Sequence, residues 1–115
     1  MVDGAEAGLC PKEKEGLIRI HPQALRDINE AFDGYAQQST KVAERFQAAI
    51  QEALARIEEF PKAWPPSRHG MRRYVLTGFP YVALYREDER GILVAAIGHG
   101  KRKPEWWLSR LKNGY

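Results

Sequence analysis

Cysteine is almost absent from this chain of 115 residues, since Cys10 is its single example, and no cysteines and histidines have zinc-site spacing. One cysteine cannot form an internal disulfide, so we expect a cytoplasmic protein without a structural metal. No apolar run approaches the ~20 residues of a membrane helix, and residues 1–16 lack the apolar core of a signal peptide. A secreted or membrane-spanning protein is therefore not expected. The length excludes a multidomain enzyme and predicts one small globular domain.

Basic and acidic residues nearly cancel when they are counted over the whole chain, but they are unevenly distributed along it. The net charge is +3, from 18 basic and 15 acidic residues. Residues 1–67 hold 8 basic and 11 acidic residues, a net charge of −3, whereas residues 68–115 hold 10 and 4, a net charge of +6. The C-terminal part is therefore the predicted contact with an acidic partner or a nucleic acid.

The first half of the chain predicts one short strand and two helices. Residues 1–16 show no hydrophobic period and predict a flexible extension, with the domain over residues 17–115. Leu17–Ile20 predicts a strand, and Pro22 suits the first turn of a helix. Both helices show apolar residues at steps of three and four, the second being capped by Ser39 or Thr40 and ended by Pro61. The short connection predicts an antiparallel helical hairpin.

The second half predicts three strands in succession: Arg72–Leu76, Tyr81–Arg86 and Ile92–Ile97, joined by hairpin turns. One or two helical turns are expected between Pro104 and Leu111. The element order is therefore β-α-α-β-β-β. This order predicts an α+β, two-layer fold in which the hairpin packs on one face of a mainly antiparallel sheet. The opposite sheet face is expected to be free, so that a binding surface would lie there or at its C-terminal rim.

Several motifs along the chain resemble those of a known protein family. The motifs that carry the resemblance are HPQALRDI at 21–28, Phe46, ALARI at 53–57 with Phe60-Pro61, GMRRY at 70–74, FPYVALYR at 79–86 and HGKRKPEWW at 99–107. In order and spacing they resemble the RelE/ParE superfamily of type II toxin-antitoxin toxins, closest to the ParE or plasmid stabilisation branch, from about Leu17 to Arg110. The resemblance implies a stable complex with a cognate antitoxin and poisoning of the bacterial cell when that antitoxin is lost.

The superfamily implies two kinds of activity: RelE-like toxins cut messenger RNA on the ribosome, and ParE-like toxins trap DNA gyrase. Against the RelE pattern, Arg73 and Arg102 fall on basic positions. Val75 and Val82, however, stand where that pattern has a lysine and an arginine, and Trp106-Trp107-Leu108 lies near the position of its C-terminal tyrosine. Because two cations that would stabilise a phosphorus transition state are missing, we favour a ParE-like inhibitor that binds gyrase.

His99 is the remaining candidate for acid–base chemistry, because histidine titrates near neutral pH. If the chain were an enzyme, it would be a metal-free endoribonuclease using Arg73, His99 and Arg102, with ribosome and messenger RNA as partners. We favour the alternative in which His99 ends a strand between two glycines and bonds to the turn. A non-toxic relative that only binds an antitoxin is the third hypothesis. No cofactor is expected, since the phosphate-binding glycine motifs are absent.

The basic and aromatic residues at the C-terminal rim, with two strand arginines, form the predicted target-binding surface. Its members are Arg73, Arg86, His99, Lys101, Arg102, Lys103, Trp106 and Trp107. Adjacent tryptophans in a short helix cannot both point inward, so at least one indole should be partly exposed.

Overall fold

The computed structural model describes residues 18–66, 68–101 and 106–113. The predicted extension over residues 1–16 and the predicted site residues Arg102 and Lys103 lie outside these ranges. Among the described residues, no helix combines the length and the apolar character that crossing a membrane requires.

Two helices, α1 (Pro22–Gln38) and α2 (Thr40–Glu59), form the predicted hairpin. His21 caps α1, since its Nδ1 accepts a hydrogen bond of 3.0 Å from the backbone N–H of Gln23. Ser39 is the one residue between the helices, and its hydroxyl accepts from the N–H of Val42 at 3.3 Å. The predicted cap is confirmed, and the tight connection folds α2 back against α1.

Four strands form one sheet: β1 (Ile18–Ile20), β2 (Arg72–Val75), β3 (Tyr81–Asp88) and β4 (Gly91–His99). Their order in space is β1-β4-β3-β2, with β1 parallel to β4 and the other pairs antiparallel. The predicted α+β architecture and element order are confirmed. β3 and β4 are both longer than predicted; at the turn that joins them, Gly91 at φ 112° closes a loop of only two residues.

The main core lies between the hairpin and one face of the sheet, which we call the helix face. Its centre is a cluster of aromatic rings in which Phe46 of α2 lies 5.3 Å from both Tyr35 and Phe79, and 5.5 Å from Tyr81, between ring centroids. Because these rings come from both helices and from the β2–β3 turn, they fix the angle between the two layers.

The other side of the sheet, which we call the outer face, is partly covered, so the prediction of a free face is wrong. A short 3-10 helix, Leu108–Asn113, follows Trp107, and together they pack on that face. Trp107 is 2% exposed and contacts a second apolar cluster whose other members are Met71, Leu84, Ala95 and Ala96. Covering this face buries apolar strand residues that would otherwise be exposed to water.

Candidate functional site

Strand pairing places Arg73 on the outer face. Arg73 lies directly opposite Leu84, and Val75 lies opposite Val82, so all four side chains share that face. The Arg73 side chain is exposed beside Gly100, where a Cβ atom would lie 3.3 Å from Arg73 Nη2. Val75 and Val82, which stand where the RelE pattern has two cations, therefore form an apolar pair next to Arg73.

His99 lies on the helix face instead. It pairs with Tyr81, and the two ring centroids are 5.9 Å apart. Its Nδ1 accepts a hydrogen bond of 3.2 Å from the backbone N–H of Lys101, in the turn that ends β4. Of the three residues considered for RNA cleavage, Arg73 and His99 thus lie on opposite faces of the sheet, and Arg102 lies outside the described residues.

A small cavity of about 240 Å³ opens beside His99, between α1 and the end of β4. Its polar lining includes Asp27, Glu30 and Tyr81. Within the described ranges, no group of three or more histidine, cysteine and acidic side chains could hold a metal ion.

The outer face carries a second basic group at its other end, around Arg86. In the register of the sheet, Arg86 of β3 and Arg19 of β1 flank Leu93 of β4 on either side. The Nη2 of Arg19 donates to both carboxylate oxygens of Asp88, at 2.7 and 2.8 Å, and Arg86 Nε lies 3.9 Å from the same carboxylate. Arg19 was not among the predicted site residues, because pairing between β1 and β4 cannot be inferred from local sequence patterns.

The two tryptophans differ in exposure, as predicted. Trp106 is partly exposed, and its ring lies over Gly98, where an added Cβ atom would overlap the indole. The guanidinium of Arg110 lies 4.7 Å from the centroid of the Trp106 ring. Trp107, by contrast, is buried against the sheet, so it belongs to the core rather than to the predicted target-binding surface.

Arg110 anchors this C-terminal segment to the rest of the molecule. It forms an ion pair with Asp27 and donates to the carbonyl of Ala95 at 3.2 Å. Asp27 also accepts from the backbone N–H of Ile97 at 3.0 Å, and the carbonyl of Arg110 lies 3.1 Å from His21 Nε2. These contacts lie on β4 beyond the end of β1, along an edge that no other strand of the described residues pairs with.

Tyr85 of β3 is a core residue. It is fully buried, and its hydroxyl donates to the carbonyl of Pro61 at 2.7 Å. Burial raises the pKa of Tyr85, an effect that nearby Arg72 reduces and Glu87 reinforces. A buried, bonded phenol with a raised pKa is not poised to act as a base.

An apolar groove of about 350 Å³ runs between α1 and α2 on the hairpin. The side chains that line it are apolar or are uncharged amides: Ile20, Leu25, Ile28, Asn29, Phe32, Gln47, Ile50, Gln51 and Leu54. Leu25 is 49% exposed at the groove. The surface therefore combines an exposed large aliphatic side chain with a lining free of charge, as peptide-binding grooves do.

Comparison with known proteins identifies the family. The family model described as "ParE toxin of type II toxin-antitoxin system, parDE" matches residues 18–104. The chain belongs to the ParE toxin family. Toxin ParE2 of Mycobacterium tuberculosis, from strain CDC 1551 / Oshkosh and from strain ATCC 25618 / H37Rv, is 30% identical over 88 residues, covering 76% of this chain and 84% of the relative.

The fold agrees with this membership. A chain of the solved structure "Chromosomal ParDE TA system from P. aeruginosa" superimposes with a TM-score of 0.66 at 20% identity, over 75% of this chain and 98% of that chain. The two chains therefore share the same fold.

Proposed function

We propose that this ParE-family toxin acts in the cytoplasm by binding DNA gyrase and stabilising its cleaved complex with DNA, and that a cognate antitoxin neutralises it. The observation that favours binding over catalysis is that Arg73 and His99 lie on opposite faces of the sheet. Cleavage of RNA by its own 2′-hydroxyl needs a base, an acid and fixed cations around one phosphate. Side chains on opposite faces do not converge on one phosphate.

The outer face supports the same proposal. Where the RelE pattern has cations, Val75 is 56% exposed and Val82 is buried, so the surface beside Arg73 is apolar. An apolar patch edged by exposed cations, Arg73 and Lys101, is the composition of a protein-binding surface. We assign this end of the outer face to the contact with gyrase.

The groove between α1 and α2 is the proposed antitoxin site. An amphipathic helix of the antitoxin would place its apolar side over Leu25 and its neighbours, removing that surface from water on binding. A following acidic segment would meet exposed Lys101 at the basic rim. A partner that orders on binding can cover both regions at once.

Induced expression of the protein in bacteria distinguishes a gyrase inhibitor from an endoribonuclease and from a non-toxic relative. We expect growth arrest, inhibition of supercoiling by purified gyrase, accumulation of cleaved DNA and intact transcripts by primer extension. The His99→Ala variant should leave antitoxin binding intact, because among the described residues the imidazole bonds to its own turn and packs near Tyr81. Transcript cleavage that His99→Ala abolishes would establish the endoribonuclease instead, and normal growth with retained antitoxin binding would establish the non-toxic relative.

A further inference from the structure

The charges of α2 run against the dipole of that helix. Lys41 lies in the first turn, which holds no acidic residue, and Glu58 and Glu59 end the last turn, where Arg56 alone is basic. Acidic residues near the N-terminus and basic residues near the C-terminus stabilise a helix, and the opposite placement destabilises it. A local conflict of this kind is expected where a neighbouring element compensates for it.

The elements that adjoin α2 within the molecule do not compensate for its charges. No ion pair joins α1 to α2 in the hairpin, all of which the structure describes; the ion pair of α2 is internal, with Arg56 Nε 3.5 Å from the Glu52 carboxylate. The turn over residues 77–80, which adjoins α2 on its other side, holds no charged residue. The charges of α2 are therefore available to a second molecule.

Six exposed residues form one stripe along α2, at alternating steps of four and three: Lys41, Arg45, Ala48, Glu52, Ala55 and Glu59. Such steps keep side chains on one side of a helix and are the spacing of a seam between two packed helices. The stripe is basic in its first half and acidic in its second, so its charges cancel. A strongly acidic or strongly basic partner would match only one half, whereas a copy of the stripe in the reverse direction matches both.

A groove of about 540 Å³ runs beside this stripe, between α2 and the turn that joins β2 to β3. Arg45, Ala48 and Glu52 line it from the helix, and exposed Thr77 and Pro80 line it from the turn. No residue lines both this groove and the antitoxin groove on the hairpin. A helix that lies along the stripe would therefore enter a concave surface and leave the antitoxin groove open.

We propose that this stripe of α2 binds a second copy of the chain, with the two helices antiparallel and related by a twofold axis. The register places Lys41 opposite the partner's Glu59. Arg45 then faces the partner's Ala55, whose small side chain leaves room for it, and lies one turn from the partner's Glu52. Each basic half lies beside an acidic half, which offsets the conflict with the helix dipole. A parallel pair would oppose like charges along the whole stripe.

The test measures the mass of the full chain alone by sedimentation equilibrium between about 1 and 100 μM, where a dimer of modest affinity dissociates. We expect a monomer–dimer equilibrium. Arg45→Glu and Glu52→Arg each oppose like charges across the seam and should raise the dissociation constant about tenfold. The double variant restores opposite charges and should return that constant to within about twofold of the parent value. Arg26→Glu makes the same charge change on exposed α1 and should leave the constant unchanged.

Because Arg45 and Glu52 are exposed, the variants should keep the circular dichroism spectrum of the parent chain. An equimolar mixture of the two single variants should form heterodimers, which tests the pairing even if the double variant is unstable. A monomer throughout the range, a dimer that neither single variant weakens, an equal loss in Arg26→Glu, or no association in the mixture would overturn the inference. A monomeric parent whose antitoxin binding is lost in Arg45→Glu would assign the stripe to the antitoxin instead. A dimer that does not inhibit gyrase would refute only the proposed function, on which this inference does not rest.

Discussion

The carboxylate of Asp27 on α1 and the guanidinium of Arg110 in the C-terminal 3-10 helix form a paired contact of 2.7 and 3.0 Å, although 83 residues separate them in the chain. Both side chains are nearly buried, at 12% and 13% exposed. Because each also bonds to the backbone of β4, the pair joins the hairpin, the sheet and the C-terminal segment at one point. Loss of either partner would leave a buried charge without its counter-ion.

Removing this contact should therefore be costly. We expect Arg110→Ala to lower the free energy of unfolding by about 3 kcal/mol, measured by urea denaturation. The matched control is Arg56→Ala, which removes an exposed ion pair with Glu52 and should cost less than about 0.5 kcal/mol. Equal losses in the two variants would show that the Asp27–Arg110 pair does not anchor the C-terminal segment.

Substitution of two glycines by alanine tests the position of the Trp106 ring. In Gly98→Ala the new methyl group would overlap the Trp106 ring, so we expect a loss of about 1–3 kcal/mol and a changed tryptophan fluorescence spectrum. In Gly34→Ala the methyl group meets nothing within 4 Å in helix α1, and the variant should gain about 0.5–1 kcal/mol. Unchanged stability and fluorescence in Gly98→Ala would contradict the close approach.

The sequence predicted the elements well because their signals are local. Spacing of apolar residues defines both helices, Ser39 defines the cap, and Gly91 defines the β3–β4 turn. The contacts between distant segments were not predictable in this way. The position of Arg19 depends on parallel pairing with β4, and the contact of Asp27 with Arg110 depends on where the C-terminal segment folds back.

One missed feature did have a signal. The run ILVAAI at residues 92–97 is continuously apolar, whereas a strand with one face in water alternates apolar and polar residues. A continuous run therefore indicates that both faces of β4 are covered, and every residue in it is buried. Read in that way, it would have predicted a cover for the outer face, with Trp107 as the large apolar residue available nearby.

The carboxylate of Asp88 makes stability depend on pH. Burial opposes its ionisation, but Arg19 and the other contacts prevail and hold its pKa below the usual value of 3.8. A carboxyl with a lowered pKa in the folded state contributes stability above the unfolded-state pKa and loses it as the pH falls through the folded-state pKa. We expect Asp88→Asn to flatten the fall in unfolding free energy between about pH 4 and pH 2. The two proteins would show parallel pH profiles if Asp88 were not paired.

Two substitutions that each introduce a glutamate test whether the antitoxin binds in the groove between α1 and α2 or on the outer face. Leu25→Glu places a carboxylate in the apolar groove between α1 and α2, and we expect affinity for the cognate antitoxin to fall at least about tenfold, since a buried, unpaired charge costs several kcal/mol. Because Leu25 is 49% exposed, unfolding free energy should change by less than about 0.5 kcal/mol. The control is Val75→Glu, at a side chain 56% exposed on the outer face, which should retain antitoxin binding, as measured by titration calorimetry. Weaker binding in Val75→Glu together with normal binding in Leu25→Glu would move the antitoxin site to the outer face.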